Sequence, residues 1–258
     1  MKRLQKIMIT ALFGILSSQF VYADAAKDAW TELVNERARS RPEFAFVENN
    51  PALPNVLIYG DSISMAYTLR VRENLKGKAN VYRIHLNGGD TARIIRATKE
   101  MQEAMAEHWP FEWDVIHLNA GLHDLKYLDE NGKYDTQTGT LVRSPLKYAK
   151  RLKIAIDYFK ETTPKAVIIF ATTTPVPEES RGRKAGDAAR FNEAALSMLK
   201  EYPEVVINDL YTFTQMNYAK WQAKPGDVHY NAAGSRAQGD KVAQVILSQL
   251  AKREETSR

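Results

Sequence analysis

No cysteine occurs anywhere in the 258-residue chain. That excludes disulfides, a thiol nucleophile, thiolate metal ligation and lipid attachment through an N-terminal cysteine. Long apolar runs are also scarce. Ile7 to Leu16 is largely apolar but too short to span a bilayer comfortably, and no later stretch could span. A surplus of one charge is lacking as well. The formal net charge is +5, and removing Lys2, Arg3 and Lys6 takes it to +2, so the basic balance gives no argument for a nucleic-acid partner. Gly88-Gly89 does not fit G-x-G-x-x-G and no Walker lysine follows it, which disfavours nucleotide binding. No His-x-x-x-His or clustered carboxylate spacing supports a metal site.

Lys2, Arg3 and Lys6 precede the Ile7–Leu16 run, and Val21-Tyr22-Ala23 offers small residues at the −3 and −1 positions of a cleavage site. The expectation is a signal peptide over residues 1–23 and an exported, periplasmic or extracellular product without stable membrane association. The alternative is an uncleaved anchor. Residues 24–54 read as an N-terminal helix, with Trp30, Leu33 and Val34 at helical spacing, followed by a proline-rich lead-in. Residues 55–252 read as one domain and 253–258 as a solvated tail. No repeat, low-complexity segment or second-domain linker interrupts the chain.

From Val56 onward strand and helix patterns alternate. Strands are expected at 56–59, 80–86, 114–119, 165–171 and 205–207; helices at 91–108, 145–162, 184–202 and 232–252. Such alternation implies a three-layer α/β/α fold with a five-stranded parallel sheet. Residues 129–144, with Asn131-Gly132 and Thr138-Gly139, form a polar surface excursion that suits a hairpin.

The stretch Val56 to Ser64 organises this pattern. It reads strand, Gly60-Asp61 turn, Ser62, then a helical segment, and puts a hydroxyl where free N–H groups and the helix dipole favour a developing anion. A helix N-cap is the plainer reading of Ser62. Among five histidines, His85 and His117 lie inside strand patterns, and His108 sits at a helix end. His229 occupies a loop before the last helix with Asp227 two residues away, a pairing that can orient and charge-balance a base. An incidental histidine in a turn is equally open. His123 directly follows the third strand and Gly88-Gly89-Asp90-Thr91 follows the second, so small and polar residues gather at one sheet edge.

Taken together, four blocks resemble the SGNH/GDSL hydrolase family over about residues 53–250. Gly60-Asp61-Ser62-Ile63 resembles its nucleophile block, Gly89 its second-block glycine, Gly121-Leu122-His123-Asp124 its Gly-x-Asn-Asp block, and Asp227-Val228-His229 its acid–base block. The resemblance implies a flavodoxin-like fold and an ester hydrolase that needs no cofactor. Ser62 would be the nucleophile, His229 the base and Asp227 the orienting acid, with the N–H groups of Ser62 and Gly89 and the side chain of His123 as the oxyanion hole. Two positions depart from the family pattern. His123 stands where the family has asparagine, and Asp227 stands two residues before His229 rather than three. A backbone carbonyl orienting His229 is the alternative to Asp227. The expected substrate is an acetylated glycan or other small ester, with carbohydrate O-acetylesterase as the simplest activity. A lysophospholipase or general short-chain esterase is the alternative, and a non-hydrolytic glycan-binding or acyltransferase domain is the alternative of another class. Arg93, Arg143, Arg181 and Arg183 are candidate contacts for an acidic sugar.

Overall fold

The computed structural model describes residues 24–256, so the expected signal peptide at 1–23 lies outside the described residues. Helix α1 (residues 24–33) buries Trp30, whose Nε1–H donates to the Phe44 carbonyl oxygen at 2.7 Å and whose ring meets Trp109 at 5.6 Å. A short α2 (Glu36–Arg39) and a 3₁₀ turn at Pro42–Phe44 lead on toward the sheet. The single helix expected here is thus broken at Asn35, whose side chain accepts from the Arg37 N–H and caps α2.

The sheet contains β1 (Asn55–Gly60), β2 (Asn80–Arg83), β3 (Val115–Asn119), β6 (Val167–Ala171) and β7 (Val206–Asn208), all parallel, in the order β2-β1-β3-β6-β7. Every residue of β1, β2 and β3 is buried, as expected for strands covered on both faces. Helices α3 (Ser62–Asn74) and α9 (Ala232–Thr256) pack together beside β1 and β3. Helices α4 (Ile94–Met105), α5 (Pro145–Thr162) and α6 (Asp187–Leu199) form a second packed group. The three-layer reading holds. The sheet order reverses direction between β1 and β3, and open α/β sheets bind ligands at the carboxyl ends of the strands beside such a switch point.

Differences from the expected boundaries have local causes. The helix expected from 91 begins as a 3₁₀ turn, Thr91–Arg93, because the Asp90 side chain accepts from the Ala92 N–H. The helix expected from 184 starts at Asp187, after Gly186 adopts a left-handed conformation at φ 83°. The closing helix runs on past Lys252, where Arg253 pairs with Asp114 at 3.0 Å; part of the expected tail is therefore helix. Two short helices, α7 (Leu210–Gln215) and α8 (Tyr218–Trp221), fill a stretch that carried no expected element. The excursion begins earlier than the expected 129, because β4 (Tyr127–Leu128) pairs antiparallel with β5 (Thr140–Leu141) across it.

Candidate active site

β1 ends in the turn that presents Ser62. The Asp61 side chain accepts from the Ile63 N–H at 3.0 Å, so Asp61 is the helix cap and the Ser62 hydroxyl is left for other partners. Burial pushes the Asp61 carboxyl up to about 6 against the Ile63 N–H and the positive field of Arg183. A further constraint is close backbone approach. The Gly88 N–H donates to the Gly60 carbonyl oxygen at 3.0 Å, and a Cβ on Gly88 would lie 2.8 Å from that oxygen. The Gly88 and Gly60 loops therefore meet backbone to backbone.

Beneath the turn lies Arg83, a fully buried guanidinium that sequence reading left inside a strand. Its terminal nitrogens donate to Ser64 Oγ at 3.0 Å, Thr68 Oγ1 at 3.1 Å, the Gly60 carbonyl at 3.2 Å and the Leu86 carbonyl at 3.3 Å. It also sits 5.0 Å from the centroid of the Phe44 ring. Burial lowers its pKa to about 10, so it remains a cation at neutral pH.

The loop before α9 brings the other two residues to Ser62. His229 Nε2 lies 2.8 Å from Ser62 Oγ, and His229 Nδ1 lies 2.6 Å from Asp227 Oδ1. That carboxylate oxygen also accepts the His229 backbone N–H at 3.0 Å. The two-residue spacing therefore closes a tight ring, and the contact to Nδ1 is made by Asp227 rather than by a carbonyl of residues 222–226. Partial burial raises the Asp227 pKa, but the backbone and ring hydrogen bonds from His229 outweigh it and hold the carboxyl below its ordinary range. The group stays ionised at neutral pH.

The expected oxyanion-hole residues have two features that the sequence did not reveal. The Gly89 N–H already donates to Asn87 Oδ1 at 3.1 Å, so an incoming oxyanion must share or displace that acceptor. His123 Nδ1 lies 3.1 Å from Lys126 Nζ. An ammonium can only donate, so Nδ1 accepts and the ring proton resides on Nε2. Burial, then the charges of Lys126 and Arg183, push the His123 pKa down to about 3. At neutral pH His123 is a neutral ring with one N–H to give, at the other end from Lys126.

Asp124 ties these loops together. It accepts from the Thr91 N–H at 3.0 Å, Thr91 Oγ1 at 2.6 Å and Arg143 Nε at 2.8 Å. Arg143 reaches on to Asp90 at 2.7 Å. Arg143 is thus committed to two carboxylates, which withdraws it as a free contact for an acidic sugar. His85 and His117 are buried, with His117 Nε2 facing Asn208 Nδ2 at 3.2 Å, and neither touches the Ser62 turn.

The GDSL-like Lipase/Acylhydrolase family model matches residues 58–237, a span holding all four blocks. No curated protein matches the chain significantly. Solved structures of similar fold include the acetyl xylan esterase AlAXEase, at 17% identity and TM-score 0.56, covering 74% of this chain and 99% of that one. An acetylxylan esterase from Geobacillus stearothermophilus aligns at 14% identity and TM-score 0.56, covering 74% and 93%. A lipase/acylhydrolase from Enterococcus faecalis aligns at 14% identity and TM-score 0.57, covering 75% and 95%. At these identities the likeness carries the fold, and the family rests on the matched blocks: the chain belongs to the GDSL-like lipase/acylhydrolase family.

Proposed function

We propose that the chain is a serine esterase that works through an acyl-enzyme, and that its substrates are O-acetylated carbohydrates outside the inner membrane. The observation that carries the reading is the continuous contact from Ser62 Oγ through the His229 ring to Asp227. In this mechanism Ser62 attacks the ester carbonyl while His229 Nε2 takes its proton. The alkoxide of the tetrahedral intermediate lies against the N–H groups of Ser62 and Gly89 and the Nε2–H of His123. Collapse breaks the ester C–O bond, and His229 returns the proton to the departing alcohol. Water then repeats the sequence on the acyl-serine. A placed acid/base is worth about 10²–10⁴ in rate, and one oxyanion donor about 10²–10³.

A short acyl group fits the surroundings. The cavity beside His229 holds about 300 Å³, small for a long fatty chain, and its wall carries Arg181, Arg183, Lys224 and Glu179 beside Tyr134, Pro225 and Val228, which favours a short acyl group on a polar substrate over a lysophospholipid. Two similar structures bear the name acetylxylan esterase, in keeping with an acetylated glycan. Export rests on the leader-like residues 1–23.

The test is labelling with a serine-reactive phosphonate beside acetate release from a panel of acetylated polysaccharides, a short-chain aryl ester and a phospholipid. Label on Ser62 and not Ser64, with acetate release lost in Ser62→Ala, is the expected result. Full activity in Ser62→Ala would overturn the mechanism. Turnover of phospholipid alone would replace the glycan by a lipid.

A further inference from the structure

Next to His229 and Asp227 lies a cavity of about 300 Å³ whose wall includes Tyr134, Arg181, Arg183 and Lys224. Arg183 is 9% exposed, yet the one hydrogen bond it makes among the described residues runs from Nε to the Leu122 carbonyl oxygen at 2.7 Å. Its two terminal nitrogens have no protein partner among the described residues, and they are not sealed away from the cavity. Two other guanidinium groups near the site are filled differently, whereas part-buried Arg72, beside the Pro42 turn, also leaves one terminal nitrogen without an acceptor. Arg83 fills its terminal nitrogens with four oxygen acceptors, and Arg143 is held by two carboxylates.

Burial of the stem holds the guanidinium in one place with its terminal donors toward the cavity, and an entering anion would supply the counter-charge that no carboxylate among the described residues provides by contact. The carboxylates whose fields reach Arg183 are otherwise engaged: Asp61 caps α3, and Asp227 holds His229. Further positive charge gathers nearby. Exposed Arg181 makes no ion pair among the described residues. Lys126 bonds to neutral His123 and stands 5.4 Å from the Tyr134 ring centroid. Glu179 is the other carboxylate in the wall. Two parallel N–H groups at the end of a guanidinium match the two oxygens of a carboxylate.

We propose that Arg183, with Arg181 beside it in the cavity wall, binds a carboxylate of the substrate close to the scissile ester, which makes the preferred substrate an O-acetylated glycan containing uronic acid. The ester half of this assignment rests on the esterase reading above; the carboxylate half stands on Arg183 and the cavity.

The experiment compares kcat/KM of the full chain for acetylated oligogalacturonate and acetylated xylo-oligosaccharide, with 4-nitrophenyl acetate as a charge-free reference. Methyl galactosiduronate and methyl galactoside are titrated in parallel to measure binding. The expected preference for the acidic oligomer is at least tenfold at low salt. The preference falls at least tenfold in Arg183→Gln and is partly retained in Arg183→Lys. The wild-type preference decides the matter even if a variant folds poorly. Equal kcat/KM for the two oligomers, or a preference that survives in folded Arg183→Gln, overturns the carboxylate site while leaving the esterase intact. Absence of Ser62-dependent hydrolysis of any ester overturns the esterase reading instead. The titrations then judge the site alone: tighter uronide binding that is lost in Arg183→Gln upholds it, and equal binding of both glycosides overturns it. A stronger preference for sulfated than for uronate oligomers would also overturn the carboxylate assignment.

Discussion

Replacing Asp227 by asparagine separates two services the carboxylate performs for His229. One oxygen, Oδ1, accepts both the His229 backbone N–H at 3.0 Å and the ring Nδ1–H at 2.6 Å. An asparagine can put its carbonyl oxygen at that point. The backbone N–H requires an acceptor there, so the amide nitrogen turns to the Oδ2 position, which is 3.9 Å from Lys224 Nζ. Orientation and tautomer then survive and the negative charge alone is lost. Two unit charges about 4 Å apart interact by about 1 kcal/mol in water and about 4 kcal/mol at the effective dielectric of a protein surface. The side chains here are 46% and 22% exposed, which places the loss between those limits, at about 2–3 kcal/mol. Since about 1.4 kcal/mol is tenfold in rate, turnover should fall about 10²-fold in Asp227→Asn. Asp227→Ala also strips both N–H groups of their acceptor and frees the tautomer, and should cost about 10³–10⁴. Initial rates on 4-nitrophenyl acetate at neutral pH, with melting temperatures alongside, give both numbers. Equal losses in the two variants would refute the claim that the carbonyl oxygen preserves the tautomer. Losses under fivefold in both, with His229→Ala inactive, would leave a Ser62–His229 dyad.

Three other outcomes are expected. His123→Ala should lower turnover about 10²-fold with little change in melting temperature, His123→Asn should recover part of it, and Lys126→Met should lose less than His123→Ala; an unchanged rate in His123→Ala would make that residue structural. Arg83→Met takes the guanidinium donor from the Leu86 carbonyl and leaves the Gly60 carbonyl with the Gly88 N–H alone, and should destabilise the fold by about 1–3 kcal/mol, read as a lower urea midpoint; an unchanged midpoint would show that water replaces the guanidinium. Burial pushes the His117 pKa down to about 3, so below the ordinary value of about 6.5 the unfolded chain takes a proton that the native chain refuses, and stability falls as pH falls. Denaturation at pH 7 and pH 5 should show about 2 kcal/mol less acid sensitivity in His117→Gln than in wild type, and identical sensitivity would sink the assignment.

The centre of the sheet was legible because β1, β3 and β6 are short apolar runs rich in β-branched residues, while β7, with Ile207 exposed at the sheet edge, followed from the strand–helix alternation. Ser62 and His229 were legible for a different reason: each lies directly beside a strand or helix end, where local order fixes its place. Asp227 was half legible. Its two-residue offset allowed contact with His229, but only the turn around Gly226, at φ 74°, decides that the carboxylate folds back. Arg83 could not be read, because its acceptors come from β1, α3 and the loop after β2. Lys126 follows His123 by three residues, yet its effect on the ring proton is a matter of side-chain direction. Helices α7 and α8 are six and four residues long, too short to build a periodic signal.

Asp124 joins the loop after β2 to the end of the excursion through Thr91 and Arg143, and its own carbonyl oxygen accepts the Arg143 N–H at 3.0 Å. Neither segment can lift away without breaking a buried carboxylate contact that also restrains the other. In hydrogen-exchange terms the two loops form a single opening unit. The amides of Thr91 and Arg143 should then exchange with one common free energy, well above that of the solvent-exposed turn at 129–139 in the same excursion. A substrate that docks on one loop therefore quiets both, and the entropy of ordering the site is spent once.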